Sequence, residues 1–274
     1  MAVPSLPLND GRAMPALGFG VYQLDAAATP DVVGRAIRAG YRSIDTAAIY
    51  GNEAGVGCAI REAEVARDDL FVTTKVWNDR QGRDATLAAF DESLARLGLD
   101  HVDLYLIHWP CPLRDLYVET WRALAELRRS GRARSIGVSN FSAAHLERIV
   151  GETGVVPAVN QIELHPHFQQ AALRAVHAQL GIVTESWSPL GQGRELADPV
   201  LAAIARAHGR SPAQVVLRWH IQSGLVAIPK TATPARIAEN LAVFDFVLDD
   251  AEMARIGGLD RAAGRIGPDP ETFG

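Results

Sequence analysis

Two cysteines in 274 residues leave little scope for disulfide chemistry. Cys58 falls in a helical stretch and Cys111 in the loop after Trp109-Pro110, and both are read as reduced thiols. Long apolar runs are missing as well: no window reaches the roughly 18 uninterrupted apolar residues of a membrane span. The first residues, Met1-Ala2-Val3-Pro4, hold neither a charged segment nor an apolar one. No export signal is visible there, and a cytoplasmic protein is expected. An excess of positive charge is also absent. With a formal net charge of −5, the chain lacks the basic balance of a nucleic-acid surface.

Three chemical signatures are lacking too. The turn after the first β-like run, Gly18-Phe19-Gly20-Val21-Tyr22, has no G-x-G-x-x-G and opens no helix directly. Neither Ser139 nor Ser188 sits in a G-x-S-x-G elbow, which argues against a serine hydrolase. His165 and His167 stand at i, i+2 rather than i, i+4, and no nearby acid or cysteine completes a set, so no metal is expected. Paired carboxylates for a barrel hydrolase or isomerase are not found either.

What is present is an ordinary globular composition, 48% hydrophobic and 22% charged. A chain of this length buries roughly three quarters of its unfolded surface, so the core needs no staple. No linker or low-complexity stretch divides it, and residues 1–274 are read as one domain. Short β-branched runs recur at Leu17–Gly20, Arg42–Asp45, Leu70–Val76, Val102–Ile107, Ala133–Val138, Ala158–Ile162, Ile182–Glu185 and Val226–Ile228. Amphipathic stretches alternate with them, among them Asp31–Ala39, Arg83–Leu97, Tyr117–Arg129, Ala143–Val150 and Pro212–Ser223. Pro212 and Pro234 stand where helices begin, with Ser211 and Thr233 as caps. Eight strands alternating with helices in about this length predict an α/β protein, a (β/α)8 TIM barrel. Ahead of it, Asn9-Asp10-Gly11 signals an N-terminal β-hairpin that plugs the barrel's bottom.

Barrel chemistry sits where strands end. The strand-end residues are Asp45 with Tyr50 in the next loop, Lys75, His108, Ser139-Asn140, Gln161, Trp187-Ser188 and Lys230. A lysine buried on a strand needs a partner, and Asp45 is the natural one. An isolated tyrosine titrates near pH 10. A cation beside Tyr50 favours its phenolate, so the phenol gives up a proton more readily. His108 would supply a hydrogen bond that orients a carbonyl or shares the proton. Together these four can protonate an oxygen as it becomes an alkoxide.

The same residues lie inside motifs that resemble the aldo-keto reductase family, and its prokaryotic 2,5-diketo-D-gluconate reductase-like members. The motifs are Gly18-Phe19-Gly20-Val21-Tyr22, Asp45 to Glu53, Thr74-Lys75-Val76-Trp77 and Leu106-Ile107-His108-Trp109-Pro110. They continue with Gly137 to Phe141, Asn160 to Pro166, Ser186 to Gly193 and Ile228-Pro229-Lys230-Thr231. The order holds across nearly the whole chain. The resemblance implies reduction of aldehydes and ketones with NADPH, with Tyr50 as general acid and Asp45, Lys75 and His108 completing a tetrad. It places Gly20, Val21 and Asp45 among the cofactor-binding residues, Ser139, Asn140 and Gln161 on the nicotinamide carboxamide, Trp187 stacked on its ring, and Ser188, Leu190, Gln192 and Gly193 over the pyrophosphate. Lys230, Thr231, Thr233 and Arg236 match the 2′-phosphate site, and Glu239 and Asn240 the adenine contacts. Tyr22, Tyr50, Trp77, His108 and Trp109 would line the substrate pocket, with the tail near Arg265-Ile266-Gly267-Pro268 shaping it.

Two departures bear on these implications. Thr233 stands where many relatives have a second basic residue, and Thr231 where they have Ser, so some NADH use is expected. The loops after Trp109 and Gly193 are short, implying an open pocket that takes small carbonyl compounds, keto-sugar acids or reactive aldehydes. The resemblance further implies a monomer. The alternative is a catalytically silent, NADP-binding regulatory barrel.

Overall fold

The computed structural model describes residues 3–274. Strands β1 (Ser5–Pro7) and β2 (Ala13–Pro15) pair antiparallel, closed by a turn in which Gly11 has φ 86°. This is the hairpin expected from Asn9-Asp10-Gly11. Leu8 and Met14 are buried among Phe71, Leu104, Ala158, Val159 and Val226, most of them at the starts of barrel strands. The hairpin therefore fills the end of the barrel opposite to the chemistry, and Asn9 Nδ2 fastens it by donating to the Pro157 carbonyl at 2.8 Å.

Eight parallel strands follow in sequence order: β3 (Phe19–Gly20), β4 (Ser43–Asp45), β5 (Phe71–Val76), β6 (Val102–Ile107), β7 (Ala133–Ser139), β8 (Val159–Glu163), β9 (Val183–Trp187) and β10 (Val226–Ala227). The first and last meet through Leu17 and Ala227. Gly18 N–H donates to the Ala227 carbonyl, Ala227 N–H to Ala16, and Gly20 N–H to Pro229. The sheet thus closes on itself and leaves no open edge. β5 and β6 are buried at every position, as strands with the packed barrel interior on one side and helices on the other must be.

The covering helices are α1 (Thr29–Ala39), α2 (Glu53–Glu62), α3 (Arg83–Leu97), α4 (Tyr117–Arg129), α5 (Ala143–Thr153), α6 (Ala171–Leu180), α7 (Pro199–His208), α8 (Pro212–Gln222), α9 (Pro234–Leu241) and α10 (Asp250–Gly257). Close packing of α2 on the end of α3 depends on Gly57, since a Cβ there would sit 1.9 Å from the Leu97 carbonyl oxygen. Ser211 caps α8 in a reciprocal box with Gln214. Thr233 occupies the cap position of α9 but its hydroxyl caps nothing. Its own N–H donates instead to Thr231 Oγ1 at 3.1 Å, so the cap expected there is corrected. Helices α7 and α10 lie outside the alternating pattern. With α8 they enclose a second apolar cluster of Leu201, Ile204, Trp219, Leu248 and Ile256. Among the described residues no helix is long and apolar enough to cross a membrane.

Candidate active site

Asp45 ends β4 and Lys75 lies one residue before the end of β5, both directed into the barrel and almost wholly buried. Lys75 Nζ donates to Asp45 Oδ1 at 2.6 Å and to the Thr46 carbonyl at 2.9 Å. The ammonium also faces Tyr50, 5.1 Å from its ring centroid. Burial opposes the charge on Lys75, but the neighbouring Asp45, Tyr50 and Glu185 outweigh it, and its pKa stays above the ordinary value. Lys75 and Lys230 are the chain's only lysines, every other basic side chain being arginine. A compact ammonium suits this three-sided cradle, where a flat guanidinium would need a wider one.

Tyr50 is the last residue of a short 3-10 turn (Ala48–Tyr50) capped by Gly51 (φ 69°). The loop is pinned from below by Asn52, which accepts from Thr46 Oγ1 at 2.8 Å and donates to the Val21 carbonyl at 2.9 Å. Glu53, at the start of α2, accepts from Thr74 Oγ1 and from Arg96 Nε, both at 2.6 Å. Neither residue was singled out from sequence, although both stand in the motif Asp45 to Glu53. Burial raises the Tyr50 pKa to about 12, and Lys75 lowers it only part of the way back. The expected downward shift is therefore corrected: the cation acts in that direction, but desolvation is the larger effect. His108, just beyond β6, packs edge-on against Tyr50 (5.6 Å) and Trp77 (4.9 Å). Burial first, then Lys75, depress its pKa well below the ordinary value, so the imidazole is neutral.

Tyr22, more than half exposed, stacks at a tilt on Tyr50 at 5.0 Å. Tyr22, Tyr50, His108 and Trp77 thus form a continuous wall. Trp109 is set apart from it, buried beneath Phe273 at 4.6 Å. Val21 also stands apart, its side chain in the core and its N–H given to the Asp45 carbonyl. Gly20 borders the last strand, and a Cβ there would lie 3.0 Å from the Ile228 carbonyl.

On the far side of the mouth the strand ends form a connected polar set. Ser139 Oγ donates to the Gln161 carbonyl at 2.7 Å. Asn140 Nδ2 donates to Ser139 Oγ and to the His108 carbonyl, each at 3.0 Å. Asn140 Oδ1 accepts from Trp187 Nε1 at 2.8 Å, fixing the indole. Asn140 (φ 63°) and Ser188 (φ 47°) both hold left-handed backbone directly after their strands. Such conformations cost energy in non-glycine residues and gather at functional sites. Ser188, Leu190, Gln192 and Gly193 make the irregular turn that follows. Lys230 and Arg236 are exposed beside the N-terminus of α9, and neither pairs with any acid among the described residues. Two unpaired cations at a helix N-terminus suit an anion. Thr231 and Asn240 are buried nearby, Glu239 is half-buried and Thr233 exposed.

The expected lack of an acid near His165 is corrected: Glu163, two residues before it, is one, and the fold adds Glu195. The ring lies between Glu163 (3.2 Å) and Glu195 (3.1 Å), and His167 reaches Asp198 at 3.1 Å. Among the described residues no group of three or more such side chains is arranged to hold a metal. Glu163 also accepts from the N–H groups of Ile266 (2.5 Å) and Gly267 (2.8 Å), tying the C-terminal tail to the barrel rim.

The family model for the aldo/keto reductase family matches residues 16–261. The chain belongs to the aldo/keto reductase family. It is 56% identical to an aldo-keto reductase of Mycolicibacterium smegmatis (strain ATCC 700084 / mc(2)155), over 98% of both chains. It is 50% identical to the methylglyoxal reductase DkgA of Escherichia coli (strain K12), over the whole of both. Among solved structures, a point mutant of Gox0644 in complex with NADPH superimposes with a TM-score of 0.97 at 53% identity, covering both chains fully. A Bombyx mori aldo-keto reductase in complex with NADP gives 0.89 at 40% identity, over 95% of this chain and 94% of that one. The neighbours are closed β/α barrels of the kind described above. The chain is therefore an oxidoreductase of carbonyl groups and not a silent barrel.

Proposed function

We propose that residues 1–274 form a single-domain, monomeric, cytoplasmic enzyme that reduces small aldehydes and ketones with NADPH, Tyr50 delivering the proton. The observation that carries this is the Asp45–Lys75–Tyr50–His108 cluster at the strand ends, with one buried ammonium facing one phenol. The site fits the cofactor on two counts. Lys230 and Arg236 are unpaired where a 2′-phosphate would lie, and Trp187 is fixed by Asn140 so that an aromatic face is presented at the mouth. Ser139, Asn140 and Gln161 would hold the carboxamide, and the turn Ser188 to Gly193 the pyrophosphate, with Glu239 and Asn240 beside the adenine.

When bound, NADPH supplies the hydride. The protein supplies the rest. Neutral His108, with Tyr50, orients the carbonyl oxygen, and the wall of Tyr22 and Trp77 keeps water from it. A phenol with a pKa of about 12 is fully protonated at neutral pH, so the acid is always loaded. Its proton leaves because a forming alkoxide is a still stronger base, and Lys75 stabilises the phenolate left behind. Asp45 keeps that ammonium in place.

Supporting relatives carry different substrates in their names at similar identity: methylglyoxal reductase at 50% and a morphine 6-dehydrogenase of Pseudomonas putida at 52% over 97% of this chain. We read the substrate class accordingly as small reactive aldehydes and keto-sugar acids, with NADH used less well than NADPH. The test is Tyr50→Phe, assayed with NADPH against methylglyoxal, keto acids and aromatic aldehydes. Turnover should vanish while NADPH still quenches tryptophan fluorescence. Near-normal kcat in the variant would remove Tyr50 from the role.

A further inference from the structure

Glu185 lies inside β9 with no exposed surface, directly beside Gln161 in the strand register. The mechanism above does not use it. Gln161 Nε2 donates to Glu185 Oε2 and to Asp45 Oδ2, each at 2.8 Å, the latter contact crossing the barrel from β8 to β4. An amide has one donor end and one acceptor end. Asp45, ionised against Lys75, holds the nitrogen end, Glu185 Oε2 accepts its second N–H, and the carbonyl oxygen is turned away from both acids. Two buried acids then share one positive charge: Asp45 is paired with Lys75, and Glu185 has no cation of its own. Its Oε1 has no hydrogen-bond partner among the described residues. An unpaired charge at that depth costs far more than an unpaired hydroxyl.

We propose that Glu185 is a positioning residue that carries a proton at the barrel centre and sets the Gln161 amide so that its carbonyl oxygen accepts from the nicotinamide carboxamide. The inference rests on the reading that Gln161 meets the cofactor. The neutral acid keeps the count at one carboxylate to one ammonium, so Lys75 remains free to act on Tyr50. The charged groups acting on Glu185 are Asp45 of β4 and Lys75 of β5, while Gln161 of β8 is its hydrogen-bond partner. Burial first, then Asp45, push its pKa to about 8 against the opposing pull of Gln161 and Lys75. Above that value a second negative charge appears beside Asp45. Lys75 and Tyr50 then hold their protons more tightly, and reduction slows.

Two variants separate orientation from charge. Glu185→Gln keeps an acceptor for Gln161 Nε2 but cannot ionise. It should bind NADPH as the wild type does, while the fall in kcat as pH rises through about 8 disappears. Glu185→Leu removes the acceptor and should weaken NADPH binding about tenfold, the scale of one oriented hydrogen bond. Superimposable pH profiles for wild type and Glu185→Gln would overturn the proton-holding role, even if Glu185→Leu fails to fold. Unchanged NADPH affinity in a folded Glu185→Leu would overturn the orienting role. Neither result touches the Tyr50→Phe test, so failure here is distinguishable from failure of the catalytic reading.

Discussion

At the residue scale, the separation between cations that are neutralised and cations that are not sorts the basic side chains by use. Lys75 is fully buried against Asp45, whereas Lys230 and Arg236 point outward with no acid in reach. Most other buried or half-buried cations have a partner, as Arg67 and Arg134 do in Asp103. An exposed pair left without counter-charge is therefore available for a phosphate, and a bidentate guanidinium is the stronger of the two contacts. Arg236→Ala should raise the KM for NADPH roughly tenfold or more, about one charge-assisted hydrogen bond. The KM for NADH should barely move, because that cofactor has no 2′-phosphate. Steady-state kinetics with both cofactors decide it, and equal changes would remove the phosphate role. The same scale explains what sequence reading reached and what it missed. Asp45, Tyr50, Lys75 and His108 were visible because strand ends in a barrel face one mouth. Glu185 was seen only as the end of a β-run, because its partner Gln161 lies 24 positions away and is itself bound to Asp45 across 116 positions.

At the scale of elements, the tail from Gly258 onward behaves as a strap across the mouth. It has no helix or strand of its own. It is held by Glu163, by Arg265 over the Phe168 ring (4.8 Å) and by Phe273 on Trp109. Gly267 touches the Trp187 indole so closely that a Cβ would lie 2.5 Å from its ring. Strap and indole are thus one packed unit. The sequence placed the tail near the pocket but not its anchor, since the Glu163 contacts span more than 100 residues. Strand positions were readable from β-branched runs, yet β3 and β10 proved only two residues long, because closure there runs through single bridges at Leu17 and Ala227. The anchor carries a pH prediction. Burial opposes a charge on His165, but Glu163 and Glu195 overcome it and raise the pKa to about 9. A folded pKa above the unfolded value near 6.5 means the stabilisation is complete below about pH 6.5 and disappears as pH rises through about 9. Thermal melts between pH 6 and 10 should fall in the wild type through that window. His165→Asn should start lower and lose this slope. A slope unchanged by the substitution would locate it elsewhere.

At the scale of the whole molecule, the two ends of the barrel are built for different purposes. One end carries the ionisable groups, left-handed backbone and unpaired cations, and the other is closed by apolar side chains from the hairpin. Stability and chemistry should then be separable by substitution. Met14 has no exposed surface and packs against the strand starts, while every residue of the tetrad lies at the opposite rim. Met14→Ala removes buried methylenes and leaves a cavity, a change worth about 2–5 kcal/mol. For a domain of this size each kcal/mol shifts Tm by about 2–4 °C, so a drop of roughly 4–20 °C is expected. Assayed well below that midpoint, kcat and the affinity for NADPH should stay at wild-type values, because the rigid strands between the two ends do not deform continuously. Calorimetry and kinetics on the same preparation give both numbers. A fall in kcat at a temperature where the variant is fully folded would mean that the plug helps to set the geometry of the Lys75–Tyr50 pair, and that the barrel transmits strain along its axis.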